Sequence, residues 1–158
     1  MNEQAERWAL IINPKSGKRK FRQQIKYLFE NLTKSGILYE YQFTRFAGHA
    51  QLIAARFVSQ NFRNFMVVGG DGTISEVING IFGTNSPNTS DMKLAIIPRG
   101  TGNDWARFWR LNRNYKYSIE VFLKQKTQLI DIGKVNYSLE GQIFSHYFIN
   151  SVGFGLDA

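Results

Sequence analysis

Three short runs without a polar residue, Trp8–Ile12, Phe65–Val68 and Leu94–Ile97, constrain this chain more than any other feature. Each is of strand length and apolar at successive rather than alternate positions, the pattern of a strand covered on both faces. Each stops at residues that interrupt regular structure: Asn13-Pro14, Gly69-Gly70 and Pro98. Behind every run the apolar period lengthens to that of a helix. Phe21, Ile25, Leu28, Phe29 and Leu32 follow the first and close at Ser35-Gly36, Ile74, Val77, Ile78 and Ile81 follow the second, and Trp105, Phe108 and Trp109 follow the third. Tyr39, Tyr41 and Phe43 alternate with polar residues and mark a further strand, and Leu52, Ile53, Phe57 and Val58 mark the helix after Gly48-His49. Strand and helix alternating in this way to about residue 125 predict an α/β fold built on a doubly wound, mostly parallel sheet.

The remainder has another character. Gly83 to Asp91 reads as a polar loop, and a helix is expected over roughly Tyr115 to Lys124. From Thr127 onward, Leu129–Ile132 and the alternating stretches between Gly133 and Ser151 read as strands joined by hairpin turns. The expected division is a first domain over 1–132 and, over 133–158, the opening strands of an antiparallel second domain that Ala158 leaves unfinished. With 158 residues, 43% hydrophobic and 20% charged, the chain can bury a core and does not have the composition of a disordered one. The absence of cysteine excludes disulfides, cysteine-ligated metal and thiol catalysis. The polar start, Met1 to Arg7, and the brevity of the first apolar run fit neither a secretory signal nor a span, so a cytoplasmic location is expected. Twenty Lys and Arg against 12 Asp and Glu give a net charge of +8, which favours nucleic acid, an anionic lipid surface or a phosphorylated small molecule.

Ligands of an open parallel sheet sit beyond the carboxyl ends of its strands. Three loops there share one chemistry: Asn13-Pro-Lys-Ser-Gly17, Gly69-Gly-Asp-Gly-Thr73 and Pro98-Arg-Gly-Thr-Gly-Asn-Asp104. Small residues let backbone N–H groups approach a polyphosphate, and the helix that follows attracts negative charge at its start. A single loop of this kind is an ordinary strand-to-helix connection; three on one edge, two of them carrying Asp, indicate a nucleotide site. Standard signatures do not apply. Gly17-Lys18 is followed by Arg19, so there is no Walker loop, and Gly70-Asp-Gly72 has Ser75 where a dinucleotide fingerprint needs Gly or Ala. Gly153-Phe-Gly-Leu-Asp-Ala158 meets that loose pattern without a helix to complete it.

Taken together, Asn13 to Gly17, Thr44 with Gly48-His49-Ala50, Gly69-Gly-Asp-Gly-Thr-Ile-Ser-Glu76 with Asn79, and Pro98 to Asp104 resemble the diacylglycerol kinase catalytic-domain family over residues 8 to 135. That family includes sphingosine, ceramide and bacterial lipid kinases. The Gly-Gly-Asp-Gly turn is similar to those of NAD kinases and phosphofructokinases; the Asn-Pro-x-Ser-Gly and Gly-Thr-x-Asn-Asp segments favour the lipid kinases. The resemblance implies a two-domain kinase that uses ATP and Mg2+ to phosphorylate the hydroxyl of diacylglycerol or a related lipid alcohol. It implies ATP contacts from Asn13, Pro14, Lys15, Ser16 and Gly17, from Thr44, from Gly69, Gly70, Asp71, Gly72, Thr73, Ile74 and Ser75, and from Gly100, Thr101 and Asn103. Glu76 and Asn79 would support the loop from its helix. Asp71 would lie beside the phosphates and magnesium, with Asp104 and Asp131 completing a catalytic and metal-binding carboxylate network. In the sphingosine-kinase branch the residue matching Asp71 is the proposed base. In bacterial diacylglycerol kinases of this type the base and further magnesium ligands belong to the second domain. Gly153 to Asp157 is then expected to lead into it, Asp157 is a candidate ligand, and catalysis by these residues alone is not expected.

Two other readings compete: an NAD kinase or phosphofructokinase relative acting on a soluble substrate, and a non-catalytic basic module for nucleotide or nucleic acid. The resemblance favours ATP, a lipid alcohol and an anionic membrane surface as partners over nucleic acid, places the chain peripherally at the membrane, and leaves a homodimer open.

Single residues also have plainer roles. Asp71 between glycines can stabilise a turn, whereas Asp131 interrupts the apolar run Leu129–Ile132 and so calls for a bound or paired carboxylate. His49 is expected to cap or pack its helix, and His146 has no evident partner. Trp105, Phe108 and Trp109 share a helical face apart from Arg107, Arg110 and Arg113, a spacing that suits a core or a membrane contact. Of the basic run Lys15 to Arg22, only its first residues stand at a loop.

Overall fold

The computed structural model of the chain describes residues 7–17, 20–84, 90–111 and 114–150. Four parallel strands, β1 (Trp8–Ile12), β2 (Tyr39–Phe43), β3 (Asn64–Gly69) and β4 (Lys93–Pro98), form one sheet in the order β2-β1-β3-β4. Between and after them run α1 (Phe21–Lys34), α2 (His49–Ser59), α3 (Asp71–Phe82), α4 (Asp104–Phe108) and α5 (Tyr115–Leu123). The winding reverses between β1 and β3, because β1 leads outward to β2 on one side and β3 to β4 on the other. A crevice opens at such a reversal, outside the carboxyl ends of the two central strands.

The continuous apolar runs follow from burial on both faces. Ala9, Ile11, Phe65, Val67 and Ile96 pack under α2 and α3, while Leu10, Ile12, Met66, Val68 and Ile97 pack under α1 and α5. The edge strand β2 is only half covered, which is why polar residues interrupt it. Gly80 lies inside α3 where the helix meets α2, since a Cβ there would lie 2.7 Å from that of Ala54. Leu52, which the spacing assigns to the apolar face of α2, is 61% exposed; Ala50, Ile53, Ala54, Phe57 and Val58 make that face.

Past α5 the expectation needs one correction. Leu129–Ile132 forms no strand. Strand formation requires a neighbour to complete the backbone hydrogen bonds, and this segment runs unpaired with Leu129 exposed. The antiparallel hairpin β5 (Gly133–Leu139) and β6 (Gln142–Phe148) is present. Glu140 and Gly141 connect its strands, both with positive φ, as a two-residue type I′ turn requires. Tyr147 and Ile149 seat the hairpin on the α2–α3 core, and the Tyr147 ring lies 5.5 Å from that of Phe82. Lys18, Arg19, Arg113, the centre of the Gly83 to Asp91 loop and the segment Gly153 to Asp157 lie outside the described residues. Among the described residues, no helix is long and apolar enough to cross a membrane.

Candidate active site

Asn13 begins the site. Its backbone N–H continues the sheet by donating to the Val68 carbonyl at 2.9 Å, and its Nδ2 donates to Thr73 Oγ1 at 3.0 Å. Its Oδ1 accepts from the Lys15 N–H at 3.0 Å, and the Ser16 hydroxyl donates to its carbonyl at 2.8 Å. One amide thus shapes the first loop and ties it to the second. Thr44, buried at the end of β2, donates its N–H to the Ile12 carbonyl.

In the second loop α3 begins at Asp71 itself, so Asp71, Gly72 and Thr73 form its first turn. No side chain caps this helix, and its leading N–H groups have no acceptor within it, an arrangement that attracts an anion. Gly70 lets the second loop touch the third: a Cβ there would lie 2.8 Å from Gly100 Cα. The third loop is folded by buried Asn103, whose Oδ1 accepts from the Gly100 N–H at 2.6 Å and whose Nδ2 donates to the Gly100 carbonyl at 2.9 Å. Asp71 reaches across to this loop, accepting from the N–H groups of Asp104 (3.2 Å) and Trp105 (3.3 Å) at the start of α4. It therefore does stabilise a turn, though one in another loop, and both oxygens retain acceptor capacity.

These loops enclose a cavity of about 440 Å³, within the size range of small-molecule sites. Its walls include Asn13, Lys15, Ser16, Thr44, Gly70, Asp71, Gly72, Thr73, Glu76, Gly100 and Thr101, all nominated from the sequence. Arg45, Phe46 and Ala47 complete it and were missed, although they bridge the quoted Thr44 and Gly48 segments. Pro14, Gly17, Gly69, Ile74, Ser75, Asn79, Asn103, Asp104 and Asp131 do not line it.

Two of the polar residues on α3 also reach beyond the loop they were expected to support, and Asn79 Nδ2 donates to the Ser75 carbonyl at 2.9 Å as well. The Glu76 carboxylate accepts from the N–H groups of Gly48 (2.8 Å) and Ala50 (3.0 Å), fixing the start of α2. Asn79 exchanges two hydrogen bonds with the backbone of Tyr147, each 2.9 Å, as a neighbouring strand would. It also lies 3.4 Å from His146 Nε2, so that histidine has a neighbour. His49 packs but does not cap α2: Nδ1 accepts from the Arg45 N–H at 3.0 Å, ahead of the helix, and the ring stacks on Phe46. Arg99, also missed, buries its guanidinium behind Ser16, and burial lowers its pKa from the ordinary arginine value.

The three-carboxylate network does not form. A Cβ at Gly102 would lie 3.2 Å from an Asp71 oxygen and 3.8 Å from those of Asp104, so these two are neighbours. The Asp104 side chain pairs with Arg107 on its own helix, and Asp131 lies exposed on the unpaired segment. Among the described residues no three acidic or histidine side chains gather as a metal site. Mg2+, however, commonly takes one or two carboxylates together with substrate phosphates. Asp71 with Asp104 beside it fits that mode and does not fit an all-protein cage.

A family model described as the diacylglycerol kinase catalytic domain matches residues 7–135. The chain is 37% identical over 145 residues to a diacylglycerol kinase of Staphylococcus saprophyticus, covering 92% of this chain and 44% of that protein. It is 34% identical to one from Staphylococcus aureus strain Newman, covering 92% and 42%. A crystal structure of a diacylglycerol kinase from Bacillus anthracis str. Sterne is similar with a TM-score of 0.72 at 27% identity, covering 88% of this chain and 48% of that one. The chain spans less than half the length of these relatives. A match over most of its length, on a parallel sheet whose glycine-rich loops meet around one cavity, means that the chain belongs to the diacylglycerol kinase catalytic-domain family.

Proposed function

We propose that this chain is the nucleotide-binding half of an ATP-dependent lipid kinase that transfers the γ-phosphoryl group to the hydroxyl of diacylglycerol or a related lipid alcohol. The observation that carries the reading is Asp71 in the uncapped first turn of α3. The helix start, Lys15 and Arg45 all favour phosphate at this cavity. A carboxylate among them repels phosphate unless a divalent cation stands between, which is the requirement of a nucleotide bound with magnesium. Once bound, Mg2+ supplies neutralisation of the charge on the transferring phosphoryl group. The chain's residues would position the nucleotide: the N–H groups of Gly72 and Thr73 would donate to phosphate, Lys15 and Arg45 would balance its charge, and Asp71 with Asp104 beside it would hold the metal.

On this reading residues 1–132 form the nucleotide domain, and the hairpin from Gly133 opens a second domain, for which the greater length of the relatives leaves room. The lipid pocket, the base and the remaining metal ligands belong there. The membrane-facing role narrows to Phe108, which is 76% exposed beside Arg107 and Arg110, whereas Trp105 and Trp109 are partly buried.

Thermal denaturation and titration calorimetry test the site. At a hundredfold excess over Kd, ATP–Mg adds about 2.7 kcal/mol of stability, a shift of several degrees for a chain of this size. The shift should vanish with EDTA and in Asp71→Asn. No shift at millimolar ATP–Mg overturns the reading. Radiolabelled ATP should phosphorylate diacylglycerol only with a protein that includes the second domain; robust transfer by this chain alone overturns the division of labour.

A further inference from the structure

We propose that Arg99 is the positioning residue of the nucleotide site, holding its three loops in the arrangement that receives a triphosphate. The inference rests on the cavity being an ATP site. Arg99 belongs to the third loop, and its backbone N–H donates to the Gly69 carbonyl of the second at 2.7 Å. Its Nε and Nη2 both donate to the Ser16 carbonyl of the first, at 3.1 and 2.8 Å. Its own carbonyl lies 3.0 Å from where a Cβ at Gly17 would stand, and Gly17 has φ +74°, so only glycine suits that corner. The guanidinium also covers the ring of Phe21, the first residue of α1, at 5.0 Å.

Joining loops does not by itself require a charge. Arg99 is 7% exposed, and among the described residues no carboxylate pairs with it. A largely covered cation with no carboxylate beside it opposes folding. Its position accounts for that cost: Ser16, the acceptor of both side-chain bonds, is a wall of the cavity, so the charge lies immediately behind the place where phosphate would sit. An anion arriving there meets a cation already held in place by its bonds to Ser16, and it supplies a counter-charge. Arg99 does not line the cavity, so it acts through the loop.

Arg99→Met and Arg99→Lys test this, with ATP–Mg titrated at several salt concentrations and melting followed without ligand. Arg99→Met should weaken ATP–Mg about tenfold and flatten the salt dependence of binding, because one cation fewer faces the triphosphate. Its unliganded melting temperature should fall by only a few degrees, because the Ser16 carbonyl loses both donors. Arg99→Lys should keep the wild-type salt dependence and recover part of the affinity. ATP–Mg binding to Arg99→Met as tight as to wild type overturns the proposal, as does a joint fall of affinity and unliganded melting temperature with unchanged salt dependence. If Arg99→Met does not fold, Arg99→Lys decides, and wild-type affinity in it overturns the proposal. Failure of the wild-type chain to bind ATP–Mg overturns the site reading itself, before Arg99 is tested.

Discussion

Gly70 shows how little space separates the loops. Any side chain at this position must displace the backbone of Gly100, 2.8 Å from the would-be Cβ, and no rotamer change relieves a backbone clash. Gly70→Val should cost about 1–3 kcal/mol in urea denaturation and remove the stabilisation by ATP–Mg, because the third loop moves away from the cavity. Gly72, two residues on, would place a Cβ in open space. Gly72→Ala should therefore keep the fold, which makes it the control for Gly70→Val. At this scale the sequence was legible where a residue stands in a recognisable turn, as Asn13, Gly70 and Asp71 do, although the partners of all three lie in other loops. Arg99 was not, because an arginine between proline and glycine looks like a solvated loop residue, and its acceptor lies 83 positions away in the chain.

Among the elements, α3 carries most of what the site depends on. Asn79→Ala removes both bonds to Tyr147 and leaves that N–H and carbonyl without partners on the Asn79 side. A loss of about 1–3 kcal/mol is expected, with faster amide exchange in β6 and little change in β1 or β3. The buried strands were readable because covering both faces forces successive apolar residues, and that pattern is visible within five positions. Leu129–Ile132 misled for the complementary reason. Its composition is that of a strand, but composition cannot supply a neighbouring chain, and the segment has none here. The polar residues of α3 stand out in the sequence, but their partners in Gly48, Ala50 and Tyr147 are tertiary contacts that no local pattern encodes.

For the whole molecule, the net charge of +8 and the exposed Phe108 make a surface whose preferences are measurable. Co-sedimentation with vesicles rich in anionic lipid should exceed that with neutral vesicles and fall with salt. Phe108→Asp should weaken it without lowering the melting temperature; undiminished sedimentation would remove Phe108 from the membrane contact. The construction of α3 has a mechanical consequence. At one end Asp71 grips the start of α4, and eight residues later Asn79 grips β6. At 1.5 Å per residue those grips are about 12 Å apart along a stiff rod. The hairpin β5–β6 and the start of α4 are therefore joined through one rigid element, with Asp71 of the cavity wall at its far end.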